Sequence, residues 1–258
     1  MLKFWRRPAA EAASPAWAEI VRSRQVAVDQ AAELARARNP AEAAFYAQTD
    51  RLALKWHHYL EVYDRHLSRY RGKPVRLLEL GVFHGGSLQM WRRYFGEAAV
   101  IHGIDVDPRC GAFDDPGLHV HIGSQADPAV LERAVAAMGG VDVVIDDGSH
   151  RNDHQIASFE HLYPRVAPDG VYIVEDVHSS YWPEFQGGLR RPGSFIEFAK
   201  RQLDRLNARY VVEGDAADRD TAFADMTHGI AFHDSMVVFE KRPDTAPWHT
   251  AVGHRTLY

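Results

Sequence analysis

The chain has 258 residues, 46% of them hydrophobic, which is enough for one large α/β domain with an N-terminal extension and excludes disorder along its whole length. A formal charge of -5 gives no broad basic field, so a small molecule is expected as partner rather than nucleic acid. The single cysteine, Cys110, excludes a disulfide framework and a multi-cysteine zinc site, and no stretch has the length of a membrane span or the apolar core of a secretory signal. A soluble cytoplasmic protein is expected.

Ala16 to about Arg38 is Ala-rich with mixed charge and lacks Gly and Pro, a helix composition that ends at Asn39-Pro40. From Ala41 to about Tyr70 the residues Leu52, Trp56, Tyr59, Leu60, Tyr63 and Leu67 recur at helical steps, predicting a second helix with one apolar face. Val75 to Leu80 reads as a buried strand, followed by a glycine turn (Gly81, Gly85, Gly86), Ser87 and an amphipathic helix through Leu88, Trp91 and Tyr94. Strand, glycine turn and helix open a nucleotide-binding unit, in which the turn lets a ligand approach the backbone and the helix presents its amides. The spacing G-x-x-x-G-G is neither the dinucleotide fingerprint nor a P-loop. It suits a ligand without phosphates but with a sugar and a cationic centre, for which Glu79 is a fitting acid. A second strand, Val100 to Asp105, ends in an acid placed to accept from ribose hydroxyls. A third, HVHIG, leads to Ser124 and Gln125, which could meet an adenine edge, and to the helix start Asp127-Pro128.

Two apolar runs, VDVVIDDGSH and GVYIVEDVH, read as central strands of a parallel sheet ending abruptly in acids. Their tips would bring Asp146, Asp147, Glu175 and Asp176 to one mouth, where mutual repulsion calls for a cation. His150 follows on the same loop. Gln155 to Val166 predicts a helix closed by the turn Pro168-Asp169-Gly170. HSSYWPEFQGGLRRPGSF predicts a substrate loop or lid without regular structure, in which His178, Tyr181 and Trp182 could line an acceptor pocket. A helix from Phe195 to Leu206 and a hairpin around His233-Asp234-Ser235 complete the pattern.

The motifs LLELGVFHGGSLQMW, IHGIDVDP, GSQADP, DVVIDDGSH, GVYIVEDVHSSYW, GSFIEFAK and DSMVVFEK, in this order between Leu52 and Lys241, resemble the class I S-adenosylmethionine-dependent methyltransferases. The resemblance is to the metal-dependent macrocin and mycinamicin sugar O-methyltransferase group, and cephalosporin hydroxylase-like proteins are similar too. It implies a Rossmann-like α/β fold whose seven-stranded, mostly parallel sheet is flanked by helices, divided here into an N-terminal helical extension (1–70) and a methyltransferase domain (71–258). It also implies S-adenosylmethionine and Mg2+ as cofactors, with Asp147, Glu175 and Asp176 as metal ligands and His150, beside Asp147, as general base. The cofactor contacts it suggests are Glu79, Gly81, Gly85, Ser87, Asp105, Ser124, Gln125, Asp146 and Tyr59. Thr49-Asp50-Arg51 is similar to a segment that helps cover the cofactor, but has Arg51 where lysine is commoner, and the chain is too short for the long N-terminal domain of larger members. The expected reaction is methylation of a hydroxyl on a sugar or glycoside in antibiotic-type biosynthesis, by a homo-oligomer, dimer or tetramer. The alternatives are a cofactor-binding protein without methyl transfer and an NAD-dependent oxidoreductase, the latter at odds with the glycine spacing.

Overall fold

The structure, a computed structural model, describes residues 26–242 and 247–254. Strands β1 (Arg76–Leu80), β2 (Val100–Asp105), β3 (Leu118–Ile122), β4 (Val141–Asp146), β5 (Val166–Val174), β6 (Thr227–His233) and β7 (Met236–Lys241) form one sheet in the order β3-β2-β1-β4-β5-β7-β6. The first five run parallel, and β7 pairs antiparallel with both β5 and β6. Strand order reverses between β1 and β4, so a crevice opens beyond their carboxyl ends, the position where open α/β sheets take ligands.

The alternation of side chains along each strand divides the core into two layers. Odd-numbered Leu77, Ile101, Val143, Ile145, Val171 and Ile173 pack with helices α3 (Tyr59–Leu67) and α4 (Gly86–Phe95). Even-numbered Leu78, Leu80, Ile104, Val144, Tyr172 and Val174 pack with α5 (Pro128–Met138), α6 (Asn152–Leu162) and α7 (Phe195–Leu206). Local chemistry sets the helix ends. Asp127 caps α5 through the Ala129 amide, Pro128 takes the first turn, and Gly139 closes it in the left-handed region. Ser194 caps α7 through the Glu197 amide. Because α3 shares an apolar cluster with the sheet, the sequence division at residue 70 runs through a continuous core.

The N-terminal expectation changes most. The first expected helix starts outside the described residues, and within them it is the short α1 (Gln30–Ala35). Asn39-Pro40 begins the next helix instead of merely ending the first: Asn39 accepts from the Glu42 amide, and Pro40 opens α2 (Pro40–Tyr46). The second expected helix is broken, since residues 47–58 form an irregular strap between α2 and α3. Polar anchors hold it off the helical path. Gln89 donates to Asp50, Arg51 pairs with Asp115 and donates to the Phe113 carbonyl, and Lys55 turns inward. The Gln155–Val166 helix also ends early, at Leu162 with a 3-10 turn, because Val166 already belongs to β5.

The strap crosses the first turn of α4 at backbone contact, for a Cβ on Gly86 would lie 2.3 Å from the Leu52 carbonyl and 2.5 Å from the Ala53 nitrogen. Alanine would otherwise favour a helix at this position. We therefore expect Gly86→Ala to destabilise the fold by about 1 to 3 kcal/mol in urea titrations and to speed hydrogen exchange across residues 48–56. A gain in stability would refute the contact.

Candidate active site

β4 and β5 lie side by side, so the acids that end them converge. Oxygens of Asp147 and Asp176 and a ring nitrogen of His150 all lie within 4.8 Å of one another. His150 Nε2 is 3.3 Å from Asp176 and 3.9 Å from Asp147. His150 and Asp176 hold φ of 54° and 51°, a left-handed conformation that non-glycine residues adopt rarely and that clusters at functional sites. Burial opposes charge on Asp176, but His150, His178 and the Tyr59 hydroxyl more than reverse it, leaving its pKa below the ordinary value. The two carboxylates offer oxygen donors suited to a small divalent cation, with the His150 imidazole beside them, so the residues present fit a metal.

Glu175 takes another direction. Its carboxylate receives the Tyr63 hydroxyl and the ammonium of Lys55, at 2.9 and 3.1 Å. The same ammonium lies 2.5 Å from Asp147 and 3.8 Å from Glu79, on a side chain only 2% exposed. Burial pulls the Lys55 pKa down, but Asp147, Glu175 and Glu79 outweigh it and raise it above that of an ordinary lysine. Burial and the neighbouring Asp147 push Glu175 well up, against the pull of Lys55 and Tyr63. Sequence reasoning missed Lys55 because it assigned residues 41–70 to one helix. The available signal was a lysine set between Leu54 and Trp56 inside an apolar stripe.

Asp146 does not join the mouth. As an even-numbered residue of β4 it faces the other layer, where its buried carboxylate accepts from Gln125 (2.9 Å), Ser158 (2.7 Å) and Tyr172 (3.2 Å). Gln125 in turn accepts from the Ser149 amide, so both residues brace the loop that carries His150. Ser124 accepts from the Ala126 amide.

Glu79 is fully buried and accepts from Ser87 (2.6 Å) and Trp91 Nε1 (3.0 Å), tying β1 to α4. Asp105 accepts from the amides of Val82, Phe83 and Asp107 and so shapes the glycine turn. Gly81, at φ 94°, packs against the Asp147 carbonyl where a Cβ would come within 2.2 Å, and Gly85 precedes α4 at φ 72°. Tyr59 sits beneath the acids, its hydroxyl donating to Asp176 at 2.7 Å.

The loop after β5 is more ordered than expected, with 3-10 turns at Val177–Tyr181 and Pro183–Phe185. His178 hydrogen-bonds Ser235 and lies between the rings of Trp56 and Trp182, with centroids at 6.0 and 4.7 Å. Tyr181 is exposed. Buried Asn152, two residues past His150, donates to the Phe185 carbonyl (2.6 Å) and accepts from Ser180 (2.8 Å) and the Phe195 amide (2.6 Å).

The fold is shared with known methyltransferases. A family described as a methyltransferase domain matches residues 78–177. The chain is 36% identical over 203 residues to the 8-demethyl-8-alpha-L-rhamnosyl tetracenomycin-C 2'-O-methyltransferase of Streptomyces olivaceus, covering 74% of this chain and 52% of that protein. It is 40% identical over 192 residues to the mycinamicin VI 2''-O-methyltransferase of Micromonospora griseorubida, covering 68% and 47%. Among solved structures, the MycE methyltransferase of the mycinamycin pathway, in complex with Mg, SAH and mycinamycin VI, superposes with TM-score 0.68 at 28% identity, covering 89% of this chain and 57% of that one. The chain thus spans about half the length of these relatives.

Burial pushes the Asp146 carboxyl up to about 6, above an unfolded value of about 3.9. Its contribution to stability is therefore complete below about pH 4 and is lost as pH rises through about 6. In urea titrations we expect the stability advantage of the unsubstituted protein over Asp146→Asn to shrink by up to about 3 kcal/mol between pH 4 and pH 7. A difference that does not vary with pH would refute the shift.

Proposed function

We propose, from the premise that this chain carries a class I S-adenosylmethionine-dependent methyltransferase domain related to the sugar O-methyltransferases, that it methylates a hydroxyl of a sugar or glycoside with the help of a divalent cation. The observation that carries the proposal is the convergence of Asp147, His150 and Asp176 at the carboxyl ends of β4 and β5. The match to enzymes named for 2'-O- and 2''-O-methylation supports the acceptor class.

A sugar hydroxyl holds its proton far above neutral pH and is a poor nucleophile until that proton is drawn away. The cofactor supplies an electrophilic methyl on a sulfonium, and a Mg2+-type ion supplies a positive field that makes the hydroxyl more acidic. The chain's own part is placement and proton handling. Asp147 and Asp176 are the proposed ion ligands, with Glu175, whose carboxylate Lys55 and Tyr63 hold, as the third. His150 is the proposed proton acceptor, and the two nearby carboxylates would stabilise the imidazolium it becomes. Gly81, Gly85 and the amide end of α4 form the proposed cofactor floor, bounded by Asp105 and by Ser124 and Gln125. His178, Tyr181 and Trp182 are the proposed acceptor wall.

No helix among the described residues is long and apolar enough to cross a membrane. The proposal places the enzyme in the cytoplasm, for which a single cysteine is suited. It also takes the working unit to be a homo-oligomer, a reading supported by the exposed Leu52, Leu54 and Phe83 on the strap and glycine turn.

Methyl transfer from labelled cofactor to a panel of glycosides should disappear after exhaustive chelation and return with Mg2+; turnover that survives chelation would remove the ion from the proposal. We expect His150→Ala to lower kcat by about 10²- to 10⁴-fold while cofactor affinity by calorimetry stays unchanged. A near-normal rate would remove His150 as the proton acceptor.

A further inference from the structure

Four carboxyl groups, from Glu79, Asp147, Glu175 and Asp176, meet at the tips of β1, β4 and β5, and the ammonium among them comes from outside the sheet. Lys55 is carried by the strap, is almost completely buried, and reaches Asp147 and Glu175 at 2.5 to 3.1 Å and Glu79 at 3.8 Å. The strap does not need this contact for its own attachment. Asp50 and Arg51 already anchor it to α4 and to the segment before β3, through Gln89, Phe113 and Asp115. Burying an ammonium also costs more than burying an apolar side chain of the same size. The interaction is therefore directed at the acids.

We propose that Lys55 is a positioning residue that shares the carboxylates of the divalent-cation site: its ammonium holds Asp147 and Glu175 together and competes with the ion for them. The inference rests on the reading that Asp147, Glu175 and Asp176 bind an ion. A single ammonium offsets only part of the acidic charge at the mouth, which leaves room for a divalent ion. Asp147 is the shared member, lying beside His150 and Asp176 and accepting from Lys55.

The test uses the full chain, stripped of metal, with Mn2+ as the probe and free Mn2+ followed by electron paramagnetic resonance. Lys55→Gln removes the competing charge but keeps a hydrogen-bond donor. It should tighten Mn2+ binding by about tenfold or more and enlarge the rise in Tm that Mn2+ produces. Lys55→Arg keeps the charge and should bind Mn2+ within about threefold of the unsubstituted protein. Equal or weaker binding by Lys55→Gln overturns the proposal. Absence of Mn2+ binding by the unsubstituted protein is a separate result, which refutes the ion site itself. A Lys55→Gln protein that folds only with Mn2+ present supports the proposal, because the ion is then replacing the ammonium. Should that variant not fold under either condition, the unsubstituted protein decides. Its Lys55 Cε resonance should shift as Mg2+ is added, and a stationary resonance overturns the proposal.

Discussion

The contact between the Lys55 ammonium and the carboxylates of Asp147 and Glu175 is the interaction on which the site depends. Acids at adjoining strand tips repel one another, and in a buried setting that repulsion is only weakly screened. Without an internal cation, Glu175 and Asp147 would tend either to bind protons or to move apart, and the loop carrying His150 would lose its partner across the mouth. The strap is built around this requirement. It leaves the helical path between α2 and α3, crosses Gly86 at backbone contact, and delivers one lysine to the place where β1, β4 and β5 end.

The pleat of β4 assigns two neighbouring aspartates to different tasks. Asp146, facing the α6 layer, is satisfied by three donors and supports the loop from below. Asp147, just past the strand, turns to the mouth and keeps its oxygens for Lys55 and for the group formed with His150 and Asp176. The same division separates Glu79, which joins β1 to α4, from the apolar residues on either side of it. Rigid, fully bonded acids thus hold in place the few that remain available for chemistry.

The sheet was legible because its central strands are short apolar runs that stop at charged residues, a pattern that registers well when both faces are buried. β2, with its boundaries at Val100 and Asp105, and α7, from Phe195 to Leu206, appear as read. Burial on both faces also conceals the pleat, and for that reason an unbroken run such as VDVVIDD sends Asp146 and Asp147 to one mouth, with only the resemblance giving them different roles. The strap was illegible for a different reason. Leu52, Trp56 and Tyr59 continue the helical spacing of α3, and only contacts distant in sequence, to Gln89, Asp115 and Asp147, pull residues 47–58 out of it. Local periodicity carries no record of such partners. Asp105, Gln125 and Ser87 were read as cofactor contacts, while their bonds to the protein itself depend on the tertiary arrangement.

Asn152 grips the loop after β5 at Ser180, Phe185 and Phe195, so both ends of that segment and its midpoint converge on a side chain rooted in α6. A segment clasped in this way can exchange its exposed tip, Leu189 to Arg191, without disturbing the registration of the acids upstream, whereas Gly187 leaves no room for a Cβ against Ser179 and Ser180. The clasp thereby separates variation at that exposed tip from the upkeep of the acids, and offers a place where diversification carries little penalty for them.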